Sequence, residues 1–222
     1  MDYIDETKIY CLENFVALLQ VALTREENNK MKKLKTLILG DSISLGYRNF
    51  VRQMLNEKVN VIYPPENGRS ISYTFRSLYE WSRDLRWSND IDLVYWNNGL
   101  WDVVHIFDDE THTPLPVYAQ YIECTFNRLK YMFPKAKIVF ATSTPVLEDE
   151  YDKNVFYRNN GEIQIYNQIA TQVILNKGGT VHDLYTLIAN SRGGVLKTHN
   201  FIKMLLISLD QYMRLWQKKF QC

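Results

Sequence analysis

Short apolar runs alternate with longer stretches whose apolar residues recur at helical spacing, and this alternation limits the possible folds more than any other feature of the chain. Residues 36–39, 59–63, 92–96, 137–142 and 181–184 are rich in Val, Ile, Leu and aromatic side chains and read as short buried strands. Between them, residues 45–56, 71–81, 117–132 and 161–176 carry the spacing of amphipathic helices. Strands separated by helices pair in parallel through right-handed crossovers. The expected architecture is therefore a three-layer α/β/α sandwich, a central parallel sheet with helices on both faces. A length of 222 residues suits one such domain with a sizeable core and is short for two.

Ahead of this domain, Tyr10, Phe15, Leu18, Leu19 and Ala22 share helical spacing, and the polar stretch Glu26-Glu27-Asn28-Asn29-Lys30 follows. Residues 1–30 are expected to form a helical extension and linker, with the domain occupying 31–222. The basic run Met31-Lys32-Lys33-Leu34-Lys35 is a solvated lead-in to the first strand. A net charge of +1 gives no electrostatic ground for a nucleic acid or an anionic membrane as partner. No apolar run approaches the roughly 18 residues of a membrane span. Cys11, Cys124 and Cys222 are widely spaced and odd in number, which suits free thiols in a reducing compartment, so a cytoplasmic location is expected.

In a parallel sheet of this kind, ligands bind beyond the carboxyl ends of the strands, where helix N-termini point free N–H groups outward. Three loops meet that description: Gly40-Asp41-Ser42-Ile43-Ser44, Pro64-Pro65-Glu66-Asn67-Gly68-Arg69-Ser70, and Asn97-Asn98-Gly99-Leu100-Trp101-Asp102. A serine at a strand-to-helix turn is exposed and lies in the positive field of the helix, which favours its use as a nucleophile. The plainer reading of Asp41, Ser42 and Ser44 is helix capping. Gly68 reads equally as a turn glycine, and Asn97 or Asn98 as the first residue of an Asx turn.

The context of these residues goes further. The stretch LILGDSISLGY at 37–47 resembles the first block of the SGNH (GDSL-like) hydrolase family, and YWNNGLWD at 95–102 resembles a variant of its third block. The resemblance implies a flavodoxin-like SGNH hydrolase fold and a serine esterase or acylhydrolase. Ser42 is then the nucleophile, supported by Asp41. Its own N–H forms part of the oxyanion hole, with Gly68 and with Asn97 as first choice or Asn98 as second. No cofactor and no metal are implied.

The family's last block, Asp-x-x-His, supplies the base and the carboxylate that orients it. HDLYTLIAN at 182–190 resembles the lead-in to that block, and His199 stands about where the base belongs, yet Leu196 occupies the position of the aspartate. Loss of that carboxylate costs triad enzymes several orders of magnitude in rate. The break in pattern after about Ser191 admits a degenerate terminus or a shifted reading frame. It also raises an alternative function, an SGNH-fold binding protein with impaired catalysis. His182 is the alternative base.

His105 and His112 fall in the acidic segment VVHIFDDETHTP and are expected to face solvent. Trp81, Trp87, Trp96 and Trp101 tilt the substrate towards a small ester on an acetylated sugar, since aromatic rings pack on sugar faces as well as in cores. A nucleotide-binding α/β domain with a phosphate on the GDS loop lacks the Gly-x-Gly-x-x-Gly or Walker pattern. The oligomeric state is left open.

Overall fold

Strand β1 (Leu34–Leu39) lies inside the sheet, between β2 (Val59–Ile62) and β3 (Leu93–Trp96), and β5 (Lys137–Ala141) and β7 (Thr180–His182) continue it on the far side of β3. All four pairings are parallel. The computed structural model describes residues 33–56, 59–107, 109–150 and 154–190. The expected helix within 8–25 and the candidate base His199 lie outside the described residues.

Successive strand residues point to opposite faces, and the sequence fills both. Leu37, Leu39, Val94, Trp96, Ile138 and Phe140 face a core completed by α2 (Ile71–Asp84), α3 (Leu115–Met132) and α4 (Asn160–Asn176). Ile38, Leu93, Tyr95, Val139 and Ala141 face the other layer, which contains α1 (Ser42–Met54) and Leu184 at the start of α5 (Leu184–Ala189). The sandwich expected from the alternation is present. The chain reverses direction across the sheet between β1 and β3, so the crevice beyond their carboxyl ends is a topological switch point.

Register aligns those ends. Leu39 pairs with Trp96, Trp96 with Phe140, and Ala141 with His182. Gly40 and Asn97, the residues after β1 and β3, therefore emerge side by side.

Two features differ from the sequence expectation. The strand expected over 181–184 ends at His182, because the Asp183 side chain accepts the Thr186 N–H at 3.0 Å and starts α5. His105 is buried rather than solvated. It belongs to β4 (His105–Ile106), which pairs antiparallel with β6 (Phe156–Tyr157), and its ring stacks on Tyr157 with centroids 4.5 Å apart. Its Nδ1 lies 2.6 Å from the Asp109 carbonyl and its Nε2 2.7 Å from Glu162 of α4. His112 is exposed.

Candidate active site

At the switch point, the turn from β1 into α1 presents Ser42 to solvent as the first residue of the helix. Asp41 is the N-cap: its Oδ1 accepts the Ile43 N–H at 2.9 Å, and its carbonyl accepts from the Ser44 hydroxyl at 2.8 Å. Asp41 thus caps the helix, as the plainer reading has it, while Ser44 is spent on the Asp41 carbonyl, and Ser42 is left aside. Among the described residues no hydrogen bond engages the Ser42 hydroxyl.

Asn97 is fully buried behind this turn, its main-chain N–H bonded to the Leu39 carbonyl at 3.1 Å. Its amide lies beside the Asp41 carboxylate, and neither amide atom closes a hydrogen bond of good geometry with a described residue. Asn98 is fully committed: its Oδ1 accepts from Trp96 Nε1 at 2.7 Å and its Nδ2 donates to the Arg69 carbonyl at 2.8 Å. Of the two asparagines, the one with an uncommitted amide is Asn97.

Gly68 is tied directly to the Ser42 turn. Its N–H donates to the Gly40 carbonyl at 2.9 Å, and a β-carbon there would stand 2.7 Å from that same oxygen. The close approach is what requires glycine. Because the N–H is spent on Gly40, what Gly68 contributes as it stands is proximity between the two loops. Arg69 follows in the left-handed region, at φ 48°, with its N–H on Asn67 Oδ1 at 2.7 Å.

Two buried carboxylates set the electrostatics. Burial pushes Asp41 up to about 6, against the opposing pull of the Ile43 N–H, Asn97 and the Arg158 guanidinium. Burial likewise pushes Asp102 up to about 7, offset by the Ile71 N–H and the Thr113 side chain and reinforced by the charge of Asp41. Arg158 is itself buried, donates from Nε to the Leu100 carbonyl, and packs over Phe156 with its guanidinium carbon 4.7 Å from the ring centroid. Trp101 meets the edge of Phe156 at 6.3 Å and lines this side of the loop cluster.

Of the tryptophans singled out in the sequence, Trp96 and Trp81 are core residues. Trp87 packs on Phe133. Trp101 alone of the four belongs to the site loops, so the aromatic argument for a sugar rests on it. His182, the alternative base, is held in the core by Tyr95, whose hydroxyl lies 2.8 Å from its Nδ1. Burial lowers it to about 4, so it is a neutral imidazole at neutral pH. Among the described residues no group of three His, Cys, Asp or Glu side chains is placed to hold a metal ion.

Sequence reasoning missed Asp102 and Arg158. Asp102 carried a signal, as the last residue of the third block, but its partner is the α2 N-terminus, 31 residues away. Nothing local marked Arg158.

No family model matches the chain, and no curated protein is similar to it in sequence. Solved structures are similar in fold. An acetyl xylan esterase superposes with a TM-score of 0.59 at 17% identity, over 82% of this chain and 99% of that one. A catalytic mutant of an acetylxylan esterase from Geobacillus stearothermophilus gives 0.57 at 16%, over 82% and 95%. A carbohydrate acetylesterase from Sinorhizobium meliloti gives 0.56 at 14%, over 82% and 100%. The fold shared with these structures is the three-layer α/β/α sandwich expected from the alternation of strands and helices.

Proposed function

We propose that this SGNH-fold chain is a serine esterase that removes a short acyl group, acetyl in the first instance, from a carbohydrate-linked ester. The observation that carries the reading is Ser42, exposed at the N-terminus of α1 while Asp41 is buried as the cap and Ser44 is buried with its hydroxyl on the Asp41 carbonyl. The esterase names of the structural neighbours support it, as does Trp101 beside the site.

In this reading the Ser42 Oγ attacks the acyl carbonyl and the carbonyl π electrons move to oxygen. The oxyanion is held by the Ser42 N–H, in the field of α1, and by the amide of Asn97. His199 takes the serine proton and passes it to the departing sugar oxygen; water then releases the acid by the same route. Gly68 brings the second loop against the first and adds its own N–H only if the bond to Gly40 opens. With Leu196 in place of the family's aspartate the imidazolium lacks its stabilising partner, so turnover is expected to be slow.

Hydrolysis of p-nitrophenyl acetate and butyrate tests the proposal. Turnover above background, faster on acetate, and abolished in both Ser42→Ala and His199→Ala is the expected result. A folded chain no faster than its Ser42→Ala variant contradicts it.

A further inference from the structure

Helix α2 has an incomplete cap of its own. Ser70 stands at its N-cap position with extended backbone but its side chain accepts no backbone N–H of the first turn, its hydroxyl lying instead 3.1 Å from that of Ser72. The missing acceptor comes from another loop: both carboxylate oxygens of Asp102 accept the Ile71 N–H, at 3.0 and 3.1 Å. Asp102 is itself pinned through its main chain, its N–H on the Gly99 carbonyl and its carbonyl on the Thr113 N–H, both at 2.9 Å.

The consequence reaches Ser42. Residues 68–71 receive three ties from the two loops that flank them: Gly68 from Gly40, Arg69 from Asn98, and Ile71 from Asp102. Gly40 lies two residues before the nucleophile, and Arg69 is held at a φ that only an over-determined loop sustains. We propose that Asp102 is a positioning residue of the active site, whose carboxylate caps α2 across the crevice and thereby fixes the loop at residues 68–70 against the nucleophile turn. This rests on the esterase reading above for its catalytic consequence, and on the cap geometry alone for its structural one.

A cap of this kind is ordinarily supplied by the residue preceding the helix. Here the supplier comes from the third loop, so the α2 terminus and the oxyanion side of the site move together. A charged carboxylate also interacts more favourably with the positive end of the helix dipole than a neutral acid does. The groups facing Asp102 are Asp41, whose charge raises it, and Tyr118 and Tyr166, both of which feel its charge.

Two readouts test it on the full chain, using Asp102→Asn, which keeps the shape and one acceptor, beside Asp102→Ala. First, the Ile71 amide resonance is followed by NMR from pH 3.5 to 9. It should titrate with Asp102, whose carboxyl burial holds above the ordinary carboxylate range, and be flat in Asp102→Asn. An Ile71 amide that does not titrate in the parent, or that titrates unchanged in Asp102→Asn, overturns the proposal whatever the activity. Second, on p-nitrophenyl acetate, kcat should fall by about tenfold or more in Asp102→Ala, less in Asp102→Asn, with KM within about twofold, because misplacement acts on the transition state. A folded Asp102→Ala variant with parental kcat also overturns it. A parent that titrates at Ile71 but turns over no ester refutes the esterase reading and leaves the cap intact.

Discussion

The α-carbon of Gly40 rests against the side-chain amide of Asn97, so closely that a β-carbon at residue 40 would stand 2.2 Å from Asn97 Oδ1. It would also approach Ser44 Cβ at 3.0 Å, and the backbone there has φ +154°. The Ser42 turn and the third loop can share this space only while residue 40 has no side chain.

Gly40→Ala is therefore expected to displace Asn97 from behind Ser42. Overpacking of this kind costs about 1–3 kcal/mol. Thermal unfolding should show a lower Tm, and ester hydrolysis should fall further than the stability loss explains, since the amide proposed to hold the oxyanion is the group that must move. Parental activity in a folded variant would remove Asn97 from that role.

The buried imidazole of His182 gives a stability effect of definite sign. Its folded value near 4 lies below the ordinary 6.5, so between those limits the unfolded chain binds the proton more readily. His182 therefore favours the folded state above about pH 6.5, and that contribution is lost as the pH falls towards 4. Replacing it with the uncharged His182→Gln should flatten the fall in Tm between pH 6.5 and 4.5, measured against the parent in the same buffers. An identical fall in both proteins would show that His182 is not buried as neutral imidazole.

His105 ties the β4–β6 pair to α4. His105→Phe preserves the stack on Tyr157 and removes the bonds to Asp109 and Glu162, leaving Glu162 its contact with Asn159. A loss of about 1–3 kcal/mol in urea unfolding is expected for bonds of this kind. The same change should disturb Phe156, in the same strand as Tyr157, and Arg158, which follows that strand at the site wall, and so lower activity without touching Ser42.

How far the sequence could be read follows from the range of the interactions. Strand and helix periods are local, and the sheet, its two cores and the order of the loops all follow from them. Ser42 is legible for the same reason: a strand, a glycine and a cap residue sit in consecutive positions. The sequence ranks Asn97 ahead of Asn98 through resemblance alone; that the Asn98 amide is engaged is not legible, because it depends on where Trp96 Nε1 and the Arg69 carbonyl lie. His105 sits in an acidic run that reads as solvated, and its burial depends on Glu162, 57 residues later. Trp96 looks like a site aromatic in sequence and is a core residue because its position in β3 faces Phe140.

The central claim is that Ser42 is the nucleophile, and covalent capture tests it most directly. The folded chain is treated with an alkyl fluorophosphonate, which phosphonylates activated serines, and the adduct is located by peptide mass mapping. The account predicts a single adduct on the peptide containing Ser42, formed with saturating kinetics, slowed by an acetylated sugar and absent in Ser42→Ala. No adduct on Ser42 in folded protein, or equal labelling of other serines in the Ser42→Ala variant, would contradict it.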